Sequence, residues 1–364
     1  MKVLILTCHT GDGHNSAAYA MAQEMESRGW DYEIADSVGI RSKRAELVVC
    51  SCYNGLIRRT PRAFGLVYHA GRAVSKIPLK SPVYYANKAY AGKILRYVEQ
   101  GRFDAVLCTH LFGMEVLTAL RRKGFSVPTF GIMTDYTCIP FFRETEMDGY
   151  FIPHADLIPE MVAKGLPEDK IYPTGIPVDQ KFRQAISQSE ARKRLNLPED
   201  QKIAVIMTGG VGCESMASLC RAVGSLTVDG LSVYVLVGRN EKLALTLQNV
   251  GPSVHAVPFT RDVFLYLKAA DVLLTKAGGL SSTEAAVSGV PLIHVKTIPG
   301  CESYNAEFFS KRGLSFAVSS LRQAEERTEF LLTHREEREK MRRAQGQQIN
   351  PFAARDIADR IAKL

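Results

Sequence analysis

The sequence predicts an α/β protein built from two doubly wound domains, and three observations carry that prediction. Short apolar runs alternate with amphipathic stretches of helical spacing, in two successive series. A glycine turn follows the first apolar run of each series. Between the series, Pro173 to Pro177 (PTGIP) breaks both periodicities. The 364 residues suit two domains, and an apolar content of 46% gives each a core. The expected layout is a first domain over 1–173 with a basic insertion over 53–98. A second domain covers 174–348, and a closing helix over 349–364 packs back on the first.

The first apolar run, over 2–7, has the near-continuous character of a buried parallel strand. The turn Gly11-Asp12-Gly13-His14 follows it, and then a helical pattern to about residue 28 with Ala17, Ala18, Met21 and Met25 on one face. A second strand is predicted over 32–35. The turn lacks the third glycine of the dinucleotide fingerprint, so a dinucleotide is not the expected ligand.

The insertion comes next. It holds nine Lys/Arg and no Asp or Glu, so its +9 exceeds the whole chain's net charge of +8. Arg58, Arg59, Arg62, Arg72, Lys76 and Lys80 lie in it, interleaved with seven aromatic residues. Val83, Ala86, Tyr90, Ile94 and Tyr97 recur at helical spacing, with Lys88 and Arg96 off that face. Such a pattern suits an anionic membrane surface, or a solvated helical insertion; nucleic acid is the weakest match.

Strands are then predicted over 105–108, 129–133 and 150–152, with helices over 114–122 and 156–164. Ligands of such sheets sit outside the carboxyl ends of the strands, where His14, His110 and Asp135 all fall. The second series places strands over 203–207, 233–237, 254–257, 272–274, 292–295 and 315–317. Gly209, Gly210 and Gly212 follow the first of these, and Arg239 follows the second. In Leu273 to Glu284 (LLTKAGGLSSTE), a buried strand meets Gly278 and Gly279, and a helix opens with Ser281, Ser282 and Thr283; Leu280 completes the glycine turn. Free helix N–H groups and missing Cβ atoms there suit a diphosphate, with Glu284 one turn on to accept ribose hydroxyls. The competing reading is an ordinary turn capped by its serines.

Composition excludes other classes. No apolar run approaches the ~18 residues of a membrane span. The start reads as a strand rather than a signal peptide. Eight scattered cysteines without a CxxC pair imply a reduced, cytosolic chain with no disulfide and no metal.

Four pieces in order now form a recognisable set: GDGHNSAA, TDYTCIPFF at 134–142, TKAGGLSSTEAAVSGVP at 275–291 and IPGCESYNAEF at 298–308. The chain resembles the diacylglycerol glycosyltransferases, including monogalactosyldiacylglycerol synthases and bacterial processive glucosyltransferases. It is more distantly similar to the enzyme that adds N-acetylglucosamine to the peptidoglycan lipid precursor. The resemblance implies two Rossmann-like domains facing across a cleft, the GT-B arrangement. It implies an inverting transfer from a UDP-sugar, with no permanent cofactor and no metal. The acceptor is diacylglycerol or a related glycolipid, reached by a cytoplasmic protein docked on the inner face of the cell membrane. Asp12, Ala277, Cys301, Ser303 and Tyr304 depart from the family pattern, the last three around the expected sugar pocket.

On this reading His14 is the general base, since an imidazole titrates near neutrality and the helix N-terminus disfavours its cation. Capping its own helix is its plainer role. Asp135 either orients His14, or is the base itself, or caps a turn. Gly11, Gly13 and Tyr136 belong to the acceptor-side loops. Glycine turns at 209–212 and 278–280 stabilise the departing diphosphate. Glu302 and Asn305 meet sugar hydroxyls, although Glu302 also fits a helix N-terminal acid. Phe259 walls the uracil or packs in the core, and Arg239 neutralises phosphate or is simply exposed. Other functions consistent with the sequence are a UDP-sugar-binding regulator without turnover and a transferase for a polyprenyl-linked acceptor.

Overall fold

The computed structural model describes residues 1–9, 12–44, 46–48, 51, 55, 61–75, 79–207, 213–295 and 300–363. The chain divides into two units: residues 1–180 with 299–301 and 350–364, and residues 181–298 with 302–349.

Each unit is built on a six-stranded parallel sheet. In the first, β1 (Lys2–Thr7), β2 (Asp31–Asp36), β3 (Ala105–Cys108), β4 (Thr129–Ile132), β5 (Gly149–Phe151) and β6 (Ile171–Tyr172) lie in the order 2-1-3-4-5-6. In the second, β7 (Lys202–Met207), β8 (Leu231–Gly238), β9 (Val254–Pro258), β10 (Val272–Thr275), β11 (Leu292–Val295) and β12 (Phe316–Val318) lie in the order 12-11-10-7-8-9. The second order is the doubly wound 3-2-1-4-5-6 pattern read from its far edge. Both sheets reverse direction of winding beside their first strand, between β1 and β3 and between β7 and β10. A crevice opens at such a switch point, outside the carboxyl ends.

The central strands are apolar because helices cover both faces; Val3 to Leu6 and Ala105 to Cys108 have no exposed surface. The closing helix Ala353–Ile361 turns Ala354, Ile357, Ala358 and Ile361 into the core of the first unit, against Met21, Ala22 and Met25 of the helix Asp12–Ser27.

Every strand anticipated from the sequence is present within two residues; β6 alone carried no signal. The basic insertion differs from its expected periodicity. Two helices, Pro82–Lys88 and Ala91–Gly101, meet at Ala89 and Tyr90. The buried line is Tyr84, Asn87, Tyr90, Ile94 and Val98, while Ala86 is exposed. A change of helix axis resets the phase of the apolar stripe, so one periodicity cannot run through both.

Candidate active site

In the first unit, His14 lies in the first turn of the helix Asp12–Ser27, the helix that follows β1. Thr7 at the end of β1 donates its hydroxyl to Asn15 Oδ1 at 2.9 Å, which ties the helix start to the strand. His14 Nδ1 lies 2.7 Å from the carbonyl oxygen of Thr109, just beyond β3, and 3.2 Å from Thr134 Oγ1, beyond β4. A carbonyl can only accept, so Nδ1 carries the proton and Nε2 holds the basic lone pair. Burial pulls the pKa of His14 below its ordinary value, and the charge of Asp135 opposes that shift.

The ring of His110 stands edge-on to His14, with centroids 4.6 Å apart. His110 Nδ1 accepts the Phe112 N–H at 3.2 Å and caps the helix Leu111–Arg121. Burial, reinforced by its neighbour His14, holds it well below the usual imidazole range. Both imidazoles are therefore neutral near pH 7.

Asp135 is half-buried beyond β4. Tyr136, expected on an acceptor loop, is buried at 2% exposure instead. Thr137 Oγ1 and the Cys138 N–H both donate to Glu160 Oε1, at 2.9 and 3.2 Å, and draw this stretch inward. Gly13 lies in the helix beside His14, whereas Gly11 falls outside the described residues.

In the second unit, β10 leads through Lys276 and Ala277 to Gly278, the N-cap of the helix Gly279–Ser288. No side chain caps that helix. Ser282 instead bonds His294 Nε2 at 2.9 Å, and Thr283 Oγ1 donates back to the Gly279 carbonyl at 2.7 Å. The serine-capped reading of the turn is thereby corrected. Gly278 has φ −69°, which any residue adopts. A Cβ there would meet only Ser281 Oγ at 3.8 Å and Lys276 Nζ at 3.9 Å. The glycine thus leaves room beside an ammonium and a helix N-terminus, a setting suited to an anion. Leu280 is buried, Ser281 is half-buried, and Glu284 is half-buried one turn on.

Two expected sugar contacts sit differently. Glu302 is 6% exposed and its Oε1 lies 2.6 Å from Lys276 Nζ. Asn305 is fully buried and donates Nδ2 to the Ala277 carbonyl at 2.9 Å. Both brace the turn from the helix Cys301–Lys311, because a glycine-rich turn without its own side chains needs outside support. Phe259 is 58% exposed, which corrects its reading as core. The guanidinium of Arg239 lies 5.0 Å from its ring centroid, so the ends of β8 and β9 present an aromatic face with a cation. Gly209, Gly210 and Gly212 lie outside the described residues.

Of the cations assigned to a membrane face, Arg58, Arg59 and Lys76 lie outside the described residues, as does the side chain of Arg62. Arg72 lines a cavity of about 260 Å³ with Arg143, Lys164 and Phe141. Lys80 is not a free surface charge: it donates to the Glu144 carbonyl, pairs with Glu146 at 3.7 Å and sits over the Tyr84 ring.

Sequence reasoning missed Lys276, His294, Asn15 and the roles of Thr109 and His110. Lys276 could have been found as the basic residue inside the glycine turn; the others carried no local signal.

Residues 14–178 match the family model of monogalactosyldiacylglycerol (MGDG) synthase, and residues 203–361 match that of the glycosyltransferase family 28 C-terminal domain. Together the two matches cover most of the chain, and they agree with the diacylglycerol glycosyltransferase and MGDG synthase family that the sequence resembles. It is a glycosyltransferase. Relatives of this family include a processive diacylglycerol beta-glucosyltransferase of Bacillus cereus, 27% identical over 99% of this chain and 93% of the relative. The Bacillus mycoides protein of the same name is 28% identical over the same shares. Among solved structures, MurG of Acinetobacter baumannii is similar with a TM-score of 0.66 at 16% identity, covering 100% of this chain and 99% of that one. The UDP-GlcNAc 2-epimerase of Neisseria meningitidis gives 0.65 at 14% identity, with both chains fully covered. These likenesses establish the GT-B type of fold. Among the described residues, no helix is long and apolar enough to cross a membrane.

Proposed function

We propose that the protein moves a hexose from a UDP-sugar to the free hydroxyl of diacylglycerol or a related glycolipid, with inversion, at the inner membrane face. The first unit takes the acceptor and the second the donor. The fixed tautomer of His14 carries this reading, because it leaves a basic ring nitrogen on this rim to take a hydroxyl proton.

Nε2 of His14 takes the proton of the acceptor hydroxyl. The oxygen attacks the anomeric carbon from the face opposite the diphosphate, the carbon–oxygen bond to UDP breaks, and UDP leaves with the electron pair. Backbone N–H groups in the first helical turn after Gly278, helped by Lys276, stabilise the growing charge. A preorganised donor of this kind is worth ~3 kcal/mol. Glu284 accepts the ribose hydroxyls, and Phe259 with Arg239 receives the base and phosphate. Asp135 orients the system by its charge on His14.

The membrane half of the reading rests on exposed apolar residues concentrated in the basic insertion. Leu66, Leu79 and Tyr85 are 73%, 74% and 58% exposed there, beside the exposed Lys88. Each basic residue near an anionic surface contributes ~1 kcal/mol, so docking weakens with salt.

Incubation with diacylglycerol-loaded anionic liposomes and a panel of UDP-sugars, read by mass spectrometry, tests the whole. A lipid gaining one or more hexoses is expected. UDP bound tightly, with no product from any donor, would point to a regulator instead. Equal docking on neutral vesicles would remove the membrane component.

A further inference from the structure

The carboxyl edge of β1 and β2 carries a cluster that glycosyl transfer does not use. His9 lies two residues beyond β1, Asp36 ends β2, and Glu46 follows ten residues later. His9 Nδ1 is 2.9 Å from Asp36 Oδ2 and 3.0 Å from Glu46 Oε1. One ligand atom from each residue lies within 4.8 Å of the other two. The carboxylate side chains are 5% and 11% exposed, and that of His9 is 47% exposed.

Two carboxylates withdrawn from water this close together repel strongly unless a cation lies between them. Besides the backbone N–H groups on Asp36, one imidazole nitrogen faces both carboxylates. Lys43 Nζ reaches the other Glu46 oxygen at 3.5 Å, but its side chain is 82% exposed and solvent screens it.

The surroundings are shaped around these groups. Asp36 Oδ2 accepts the His9 backbone N–H at 2.7 Å, and Oδ1 accepts those of Val38 and Gly39 at 2.8 and 2.6 Å. This is the kind of outer support that holds a metal-binding carboxylate in place. Separately, Gly39 clears the seat of Glu46. A Cβ at that position would lie 2.8 Å from Glu46 Oε2 and 3.2 Å from Asp36 Cβ. Its backbone is not left-handed, so the glycine serves the carboxylate rather than the turn.

We propose that His9, Asp36 and Glu46 form a site for an exchangeable divalent cation of the manganese or zinc type. One imidazole nitrogen with two carboxylate oxygens matches those ions. Calcium needs more oxygens, and magnesium sheds its water reluctantly. The exposed side of His9 gives the ion an entry and lets water complete its shell. The bound ion ties the stretch at Glu46 to the ends of β1 and β2, five residues before His14. It takes no part in the departure of the diphosphate.

The test is titration of the chelator-treated full chain with Mn²⁺ alone, following free Mn²⁺ by electron paramagnetic resonance. One Mn²⁺ per chain is expected, displaced by Zn²⁺ and not by an equal amount of Mg²⁺. His9→Ala, at an exposed position that the fold tolerates, and Glu46→Gln, which keeps the shape, each weaken binding at least about tenfold. Gly39→Ala acts in the same direction by displacing Glu46, whereas Glu99→Gln, an exposed acid elsewhere in the unit, leaves binding unchanged. No bound Mn²⁺, or equal binding by parent and His9→Ala, would overturn the site and leave a histidine–carboxylate ion-pair cluster only.

Discussion

The two units share a sheet architecture and present their chemistry in opposite ways. At the rim of the first, the working group is one side-chain atom. His14 is held by a carbonyl beyond β3 and a hydroxyl beyond β4, and its remaining nitrogen is thereby defined. At the rim of the second, the working group is backbone. The first turn of the helix Gly279–Ser288 offers N–H groups, Gly278 leaves space beside them, and the side chains that matter brace the turn from behind. The difference follows from the tasks. Taking up a proton requires one atom in one protonation state, so several strand ends converge to fix it. Receiving a diphosphate requires many weak donors and room, which a glycine turn at a helix start supplies.

This contrast breaks first at His14. His14→Ala should lower turnover by roughly 10²–10⁴-fold, the range of general-base catalysis, while UDP affinity stays the same. Initial rates beside calorimetric UDP binding measure both, and a parallel loss of the two would mean that the imidazole organises the fold rather than the reaction. Gly278→Ala is the matching change in the second unit. Its φ of −69° and the ordinary spacing of a new Cβ predict an unaltered melting temperature. The methyl group would still occupy the space assigned to the donor, so KM for the UDP-sugar should rise by about tenfold, the loss of one good donor contact. An unchanged KM would place the diphosphate elsewhere.

Asp135→Asn sharpens the comparison further. Asp135 raises the pKa of His14 against the larger lowering by burial. With that charge removed, the imidazole resists protonation to lower pH, and the acid limb of kcat/KM moves down. A pH–rate profile reads this shift, and an upward movement would assign Asp135 a different role.

How much of this was legible depends on what each feature is made of. Strands such as 2–7 and 105–108 are runs of apolar residues, and burial on both sides leaves no alternative composition. The glycine turn after β10 is equally local. The tautomer of His14 is set by a carbonyl 95 residues away, and any residue type supplies a carbonyl. Lys276 and Glu302 are 26 residues apart and pair only because β10 and the helix Cys301–Lys311 converge. The His9 cluster is illegible for the same reason, since its three ligands come from separate segments and show no short metal-binding spacing. Lys80 shows the converse error: a charge run read as one surface was divided by the fold, and this lysine was taken up by Glu144 and Glu146.

The smallest expected effect concerns groups buried behind the two rims, where the units again differ in sign. Glu115, on the helix Leu111–Arg121, has no exposed surface and accepts from Asn87, and burial raises its pKa from 4.5 to about 8. His294, in β11, is equally buried between the hydroxyls of Ser282 and Ser315, and burial lowers its pKa from 6.5 to about 3. The folded first unit keeps a proton that the unfolded chain releases, so its stabilisation is complete below pH 4.5 and is lost as pH rises towards 8. The folded second unit refuses a proton that the unfolded chain binds, so its stabilisation holds above pH 6.5 and is lost as pH falls towards 3. Trp30, the single tryptophan, belongs to the first unit and reports on it alone. Its fluorescence melting temperature should fall between pH 5 and 8, at about 2–4 °C for each kcal/mol lost. Glu115→Gln keeps an acceptor for Asn87 without the titration, so it should flatten that slope and leave the acid side as it was. A slope that survives the substitution would mean that Glu115 is ionised in the fold, and that the Asn87 contact, rather than a retained proton, is what makes its burial tolerable.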